Sequence, residues 1–142
     1  MTVKAILKEK GGDVFTMSPD ATLVEVAQEL SRRKIGALLI MDGDRLAGIL
    51  SERDIVRQIA RAGAAALSAP ASSVMTQTVQ TATMDDLIED VMTRMTNSRF
   101  RHMPVVHEGK VAGLISIGDV VKRRIEQAVR ERDEIRDYIM ST

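Results

Sequence analysis

The hydrophobic and polar positions of this chain follow the same order twice. Residues 14–57 align with residues 79–122 at a constant offset of 65 and without a gap. Pairs of identical residues include Val14/Val79, Thr16/Thr81, Asp20/Asp85, Gly48/Gly113, Ser51/Ser116 and Asp54/Asp119. Because internal repetition is the signature of a duplicated structural unit, the sequence predicts two copies of one small fold.

Each copy predicts the element order strand, helix, strand, strand, helix. Apolar residues at helical spacing predict a helix over 23–30 and its counterpart over 88–95. The continuous apolar run that follows is typical of a strand buried on both faces, and a turn containing glycine then predicts a hairpin. The hairpin strands are predicted at 37–41 and 46–50 in the first copy and at 103–106 and 111–115 in the second.

The segments between and after the copies set the predicted domain boundaries. Segment 62–73 is rich in Ala, Gly, Ser and Pro, which is typical of a linker. After Asp119 the helical pattern continues through Ile139, either as a solvated helix with one packing stripe or as a helix that forms a dimer. We therefore expect a first repeat with the N-terminal segment over 1–68, a second repeat over 69–124 and a C-terminal helical extension over 125–142.

The charge balance narrows the class of ligand. The 20 basic and 20 acidic residues of the 142-residue chain cancel, so the chain lacks the basic excess that binds extended nucleic acids. One Tyr and two Phe are too few for a platform that stacks single-stranded bases. A small ligand with a few phosphates needs only local cations, so the neutral charge balance does not exclude such a ligand.

The remaining composition excludes several kinds of site. The chain has no cysteine, which excludes disulfides, thiolate metal sites and a cysteine nucleophile. No apolar run is long enough to span a bilayer, and the N-terminus lacks the form of a signal peptide. The sequence therefore predicts a cytoplasmic protein without a membrane partner.

Two segments with candidate chemistry occupy equivalent places in the copies. Ser51 and Asp54, like Ser116 and Asp119, lie three residues apart where a strand leads into a helix. One interpretation is a capping box, which needs no ligand. The other is a ligand site, because helix N-termini attract phosphate and a carboxylate beside them can accept hydrogen bonds from ribose hydroxyls. Both interpretations stay open at this point.

The residues before the buried strands differ between the copies. Arg99, Arg101 and His102 precede the second strand run and offer several donors, either to a ligand or to solvent as a chance basic cluster. The first copy has Ile35-Gly36-Ala37 there, which is apolar and small and suits a flat base. His107 lies next to a turn and is interpreted as a surface residue.

Together, these motifs resemble the tandem CBS-domain (cystathionine-β-synthase domain) family over nearly the whole chain. The motifs are, in order, Ser18 to Leu23, Gly36 to Asp42, Gly48 to Val56, Val74 to Thr76, Arg101 to Val106 and Gly113 to Val121. The resemblance implies an α+β fold in which two repeats pack through their sheets about a pseudo-two-fold axis. It also implies a homodimer that binds AMP, ADP, ATP, NAD or S-adenosylmethionine in clefts between the repeats.

In the family pattern, each cleft combines the Ser-x-x-Asp of one repeat with strand residues of the other. By this resemblance the chain has two sites. One site is expected to hold Ser51, Arg53, Asp54, Met75, Thr76, Gln80, Arg101 and His102. The other is expected to hold Ser116, Gly118, Asp119, Phe15, Ile35, Gly36 and Ala37. By this resemblance Asp54 binds the ribose, Thr76 the base, and the three basic residues of the first site the phosphates. Gly118 stands where the first site has Arg53, so we expect weaker phosphate binding there.

Three functional classes follow from these features. The leading hypothesis is a regulatory module that binds an adenine nucleotide and signals to a partner protein through a conformational change. An enzyme is disfavoured, because the sequence contains no Ser–His–acid order, no metal-ligand cluster and no Walker glycine loop. The third class is a structural dimerisation or adaptor module whose clefts bind nothing.

Overall fold

The computed structural model describes residues 1–141 and divides the chain into two compact units. The first unit consists of Asp13–Gln80. The second consists of Met1–Gly12 together with the chain from Thr81 onward. Each unit combines helices with a small sheet. This confirms the predicted α+β class.

The first unit forms every element that its hydrophobic pattern predicts. Its elements are β1 (Thr16–Met17), α2 (Leu23–Arg33), β2 (Ala37–Asp42), β3 (Arg45–Ser51) and α3 (Glu52–Ala62). β1 pairs in parallel with β2, and β2 pairs antiparallel with β3. Leu38, Leu39 and Ile40 are 0% exposed, so the apolar run is a strand buried on both faces.

The second unit repeats this order and adds a helix from the N-terminus. Its elements are α1 (Val3–Lys10), α4 (Ile88–Ser98), β4 (His102–His107), β5 (Lys110–Ser116) and α5 (Ile117–Ser141). β4 and β5 form a two-stranded antiparallel sheet. Ala82 contributes an isolated parallel bridge to Val105 where the first unit has β1. The 25 residues of α5 confirm that the helix continues past the repeat.

The core of the second unit depends on α1. Val3 and Ile6 are 0% exposed and belong to the same apolar cluster as Ile88 and Met103. The backbone N–H of Ile88 donates to the carbonyl of Met1 at 3.1 Å. α1 is therefore part of this core, although its sequence precedes the first repeat.

The first unit is completed in the same way by the segment in front of the second repeat. The N–H of Leu23 donates to the carbonyl of Ala69 at 3.0 Å, which is the counterpart of the bond from Ile88 to Met1. Ala71 is fully buried in the core of this unit. Residues 69–71 thus correspond to residues 1–3 at an offset of 68, and the duplication extends beyond the aligned repeats. Each repeat is completed by the segment that precedes the other one.

This exchange is why the structural division differs from the predicted boundaries of 1–68 and 69–124. Segment 1–12 groups with the second repeat and segment 69–80 with the first, because each buries its apolar side chains there. The predicted linker forms two 3₁₀ turns, Gly63–Ser68 and Ala71–Ser73, with Ala66 buried, so it is a packed part of the first unit. The predicted extension over 125–142 continues α5, and its last residue lies outside the described residues.

Candidate ligand-binding site

The motif of the first unit lies at the corner where β3 runs into α3. Oδ2 of Asp54 accepts hydrogen bonds from the N–H of Ser51 at 2.9 Å and from its hydroxyl at 3.1 Å. In return, the N–H of Asp54 donates to the Ser51 hydroxyl at 3.4 Å. The capping box is therefore formed. Oδ1 of Asp54 lies 3.9 Å from Arg57, which is too far for a hydrogen bond, so the cap fixes one oxygen and leaves the other in a loose ion pair.

The motif of the second unit has the same reciprocal bonds and an additional cation. The N–H of Ser116 donates to Oδ2 of Asp119 at 2.9 Å, and the N–H of Asp119 donates to the Ser116 hydroxyl at 3.1 Å. Nζ of Lys10 lies 2.6 Å from the same Oδ2. Arg123, whose side chain is 8% exposed, lies 3.8 Å from Oδ1. Two cations therefore face this carboxylate.

The surroundings of Asp119 keep its carboxylate ionised. Burial raises the pKa of Asp119, but the hydrogen bonds from Lys10 and Ser116 lower it by more, and the net pKa lies below the ordinary value. A carboxyl group whose pKa is lower in the folded state than in the unfolded state stabilises the fold at any pH above its unfolded-state pKa. This contribution is lost as the pH falls through the folded-state pKa. Asp119 therefore carries its charge at neutral pH.

In each unit the start of the buried strand lies beside the Ser-x-x-Asp motif of the same unit. In the first unit, Ala37 is the register partner of Ser51, and the carbonyl of Gly36 accepts the N–H of Glu52 at 3.0 Å. Ile35 lies next to this contact in the chain. The apolar residues predicted to admit a flat base therefore adjoin Ser51.

The basic residues of the second unit have the equivalent position. His102 is the register partner of Ser116, and the carbonyl of Arg101 accepts the N–H of Ile117 at 2.7 Å. Arg101 is exposed and His102 half-buried. Gly118, also exposed, is in the first turn of α5. The predicted grouping of Arg101 and His102 with Asp54, and of Ile35, Gly36 and Ala37 with Asp119, stays a prediction.

Two further predicted residues adjoin the motif of the first unit. Thr76 exchanges backbone hydrogen bonds with Ile49 of β3 at 2.9 and 3.0 Å. Met75 lies so close to Gly48 that a Cβ on the glycine would be 2.6 Å from its sulfur. Gly48 thus admits segment 75–76 against the strand that leads into Ser51.

The other predicted residues of the first unit lie at its surface. Arg53 is exposed in the first turn of α3, and Gln80 is exposed at the end of the unit. Phe15 is half-buried, and the guanidinium of Arg33 lies 4.1 Å from the centre of its ring. An open groove of about 550 Å³ between α2 and α3 includes Ile35 and Gly36 in its lining.

Sequence reasoning missed the charged network around Asp119. Arg123 bridges Asp119 and Glu9, with 3.3 Å to the Glu9 carboxylate, and Lys10 completes the set. At the offsets of the duplication, the first unit has Gln58 in place of Arg123 and Thr78 in place of Lys10. The only sign of this difference in the sequence is that the two counterparts are uncharged. Thr78 can be recognised as the counterpart of Lys10 only with the offset of 68, which the structure reveals.

Comparison with known proteins places these features in a family. Residues 3–61 and 71–126 each match the CBS domain. The crystal structure of a CBS-domain protein from Agrobacterium tumefaciens is 43% identical, covers 87% of this chain and 99% of that chain, and superposes with a TM-score of 0.86.

Two solved structures of similar proteins contain adenosine ligands. A CBS-domain protein from Pyrobaculum aerophilum, complexed with AMP, is 26% identical over 84% of this chain and 89% of that chain, with a TM-score of 0.74. A CBS-domain pair complexed with 5′-methylthioadenosine and S-adenosyl-L-methionine is 25% identical over 89% of this chain and 98% of that chain, with a TM-score of 0.79.

Proposed function

Because this chain belongs to the CBS-domain family, we propose that it is a regulatory module that binds an adenine nucleotide beside Asp54 and Asp119. The observation that carries the proposal is the repeated corner at which a strand delivers a carboxylate to the start of a helix. In the first unit the cap holds Oδ2 of Asp54 and leaves Oδ1 with a distant, exposed arginine. A carboxylate held in this way is pre-oriented to accept hydrogen bonds from ribose hydroxyls.

The ligands of similar proteins support adenosine as the recognised group. AMP, 5′-methylthioadenosine and S-adenosyl-L-methionine share adenosine and differ in what is attached to its 5′ carbon. A site that reads the ribose and the base fits all of them. AMP, ADP, ATP and NAD are the ligands that we propose for this chain.

The neighbours of Asp54 suggest how the remaining parts of the ligand bind. Thr76 and Met75 lie along β3 and, with Ile35 and Gly36, offer backbone groups and apolar surface for the base. Arg53 lies in the first turn of α3, where its own cation and the positive end of the helix dipole favour phosphate. Gln80 belongs to the same proposed set.

In the second unit, Arg101 and His102 adjoin Ser116 and are proposed phosphate ligands. This assignment groups them with Asp119 of their own unit, whereas the family pattern groups them with Asp54. The two groupings predict different outcomes: removing Arg101 weakens nucleotide binding at Asp119 under the first and at Asp54 under the second.

The proposal also includes signalling and self-association. A ligand shifts a conformational equilibrium only by its different affinity for the two states, so regulation requires a partner protein that distinguishes them. Val56 and its counterpart Val121 are 65% and 37% exposed on α3 and α5, and burial of such paired apolar positions supports the proposed homodimer. Within residues 1–141, no helix is apolar over a length that would cross a membrane.

Thermal unfolding with a panel of ligands tests the proposal. AMP, ADP, ATP, NAD and S-adenosylmethionine are added at increasing concentration, and a ligand at about 100 times its Kd adds roughly 2.7 kcal/mol of stability. Asp54→Ala is expected to abolish the share of this shift due to the first site. Asp54→Asn serves as a matched variant, because an amide oxygen at the third helical position can still accept the N–H of the N-cap residue Ser51 but offers no charged acceptor to the ribose.

The control is Asp44→Ala, which removes an exposed carboxylate from the hairpin turn. Because loss of the cap itself costs about 0.5–2 kcal/mol, the ligand-induced shift is compared within each variant rather than between midpoints. A wild-type protein whose midpoint moves with none of the ligands would be a structural adaptor instead. Ligand-induced shifts of full size in both Asp54→Ala and the equivalent variant Asp119→Ala would reject these carboxylates as the site.

A further inference from the structure

The two Ser-x-x-Asp corners differ in the cation that faces the carboxylate. Nζ of Lys10 lies 2.6 Å from Oδ2 of Asp119 and 2.7 Å from the carbonyl oxygen of Leu114. The nearest cation of the first unit, Arg57, lies 3.9 Å from Asp54 and its side chain is 71% exposed. Lys10 therefore lies on the carboxylate, which is the group that both proposed sites offer to the ribose.

The position of Lys10 is set by the fold rather than by its own flexibility. It is the last residue of α1, whose apolar face is anchored in the core by Ile6 and Leu7. Gly12 lies two residues further on, and a Cβ there would lie 2.8 Å from the carbonyl oxygen of Ala112 on β5. The chain thus passes close to the strand that ends at Ser116, with Lys10 directed at the corner.

Partial burial strengthens the contact between Lys10 and Asp119. The two side chains are 34% and 17% exposed, and the buried Arg123 covers the other carboxylate oxygen at 3.8 Å. Charge-assisted hydrogen bonds of this length are among the stronger ones in proteins. A ribose that approaches Asp119 therefore competes with an ammonium group already bound there.

We propose that Lys10 is a latch on Asp119 that opens for phosphorylated ligands and stays closed to unphosphorylated ones. The inference rests on the proposed function, because it takes Asp119 as a ribose-binding group. A ligand phosphate offers the displaced ammonium a new anion, whereas adenosine displaces it without replacement. The Asp54 site, with Thr78 at the position of Lys10, carries no such latch and accepts both kinds of ligand.

Isothermal titration calorimetry with AMP and adenosine tests the latch in the full chain. Asp54→Ala is used as the background, so that the Asp119 site is measured alone. With Lys10 present, AMP is expected to bind at least about tenfold more tightly than adenosine, a difference of about 1.4 kcal/mol. Lys10→Met is expected to strengthen adenosine binding and to weaken AMP binding, so that the ratio of the two affinities falls about tenfold or more.

Lys8→Met is the matched control. It removes the same charge from the same helix, and Lys8 is exposed with no ion pair to any described residue. The affinity ratio is expected to stay unchanged in this variant, which separates a local latch from a general effect of charge.

Each of the other outcomes contradicts either the latch or the proposed function. An affinity ratio that Lys10→Met leaves unchanged overturns the latch. If ligands bind to the wild-type chain but not to the Asp54→Ala background, with or without Lys10, the latch is also overturned. The Asp54 part of the proposed function then still stands. A wild-type chain that binds neither AMP nor adenosine overturns the latch, whereas the proposed function fails only if no ligand of the panel binds.

Discussion

The two units are built from one repeated pattern but differ in the segment that completes them. In the second unit the completing segment is a helix with bulky apolar residues, of which Val3 and Ile6 are 0% exposed. In the first unit the completing segment starts with a short 3₁₀ turn, Ala71–Ser73, and buries the small side chain of Ala71. The helical segment also places Lys10 against Asp119, whereas the other segment leaves Asp54 without a close cation. Duplicated folds can thus acquire different sites through the segments around them, while the repeated motif itself stays the same.

The largest expected effect tests whether α1 carries the core of the second unit. Ile6→Ala removes a fully buried side chain and is expected to lower the free energy of unfolding by about 3–4 kcal/mol, within the range for such truncations. Ala71→Gly, at the equivalent completing segment of the first unit, is expected to cost about 1 kcal/mol. Urea unfolding followed by circular dichroism measures both.

Lys4→Ala is the control for this comparison, because Lys4 lies on α1 and is exposed. We expect a change within about 0.5 kcal/mol. If Ile6→Ala were no more costly than Lys4→Ala, α1 would not be part of the core.

A smaller difference is expected at the paired glycines of the hairpins. A Cβ at Gly48 would lie 2.8 Å from the backbone oxygen of Thr76, whereas the three atoms nearest to a Cβ at Gly113 all belong to the side chain of Leu7, the first at 2.7 Å. Because a backbone atom cannot rotate away, we expect Gly48→Ala to cost about 2–3 kcal/mol and Gly113→Ala about 1 kcal/mol. The same unfolding measurement decides, and equal costs would show that segment 75–76 moves as freely as the leucine side chain.

The smallest expected effect concerns the helices that begin the two repeats. α2 begins with a complete capping box between Thr22 and Glu25, whereas Leu87 at the start of α4 supplies no side-chain hydrogen bond. Leu87→Thr, with Asp90 already at the third helical position, is expected to stabilise the protein by about 0.5–1 kcal/mol. Thr22→Ala is expected to destabilise it by about 1 kcal/mol. Thermal midpoints that move in the same direction for both variants would contradict this account.

Patterns that are local in sequence predicted most of the fold. Continuous apolar runs, turn glycines and helical spacing specify the hairpins and the helices that flank them, because each depends on neighbouring residues. The Ser51 and Asp54 corner was found for the same reason, since a capping box spans only a few residues. The bulges after Ile40 and after Val105, at equivalent places in the two hairpins, had no such signal.

Contacts between distant segments could not be predicted in this way. Whether α1 belongs to the first or the second repeat depends on which core buries Ile6, and the periodicity of α1 is the same in either case. The contact between Lys10 and Asp119 joins residues that are far apart in the chain, and each alone resembles an ordinary surface charge. The two completing segments are also related by an offset of 68 residues, which differs from the offset of 65 between the aligned repeats.

The exchange of completing segments sets an order of events during biosynthesis. The first unit lies within one continuous stretch, Asp13–Gln80, and closes as soon as that stretch has left the ribosome. α1 emerges earlier, but the core that buries Val3 and Ile6 is complete only when β5 and the start of α5 follow. At a translation rate of roughly 5–20 residues per second, the apolar face of α1 stays incompletely buried for about 5–20 seconds. During this time a chaperone or a neighbouring nascent chain has access to it.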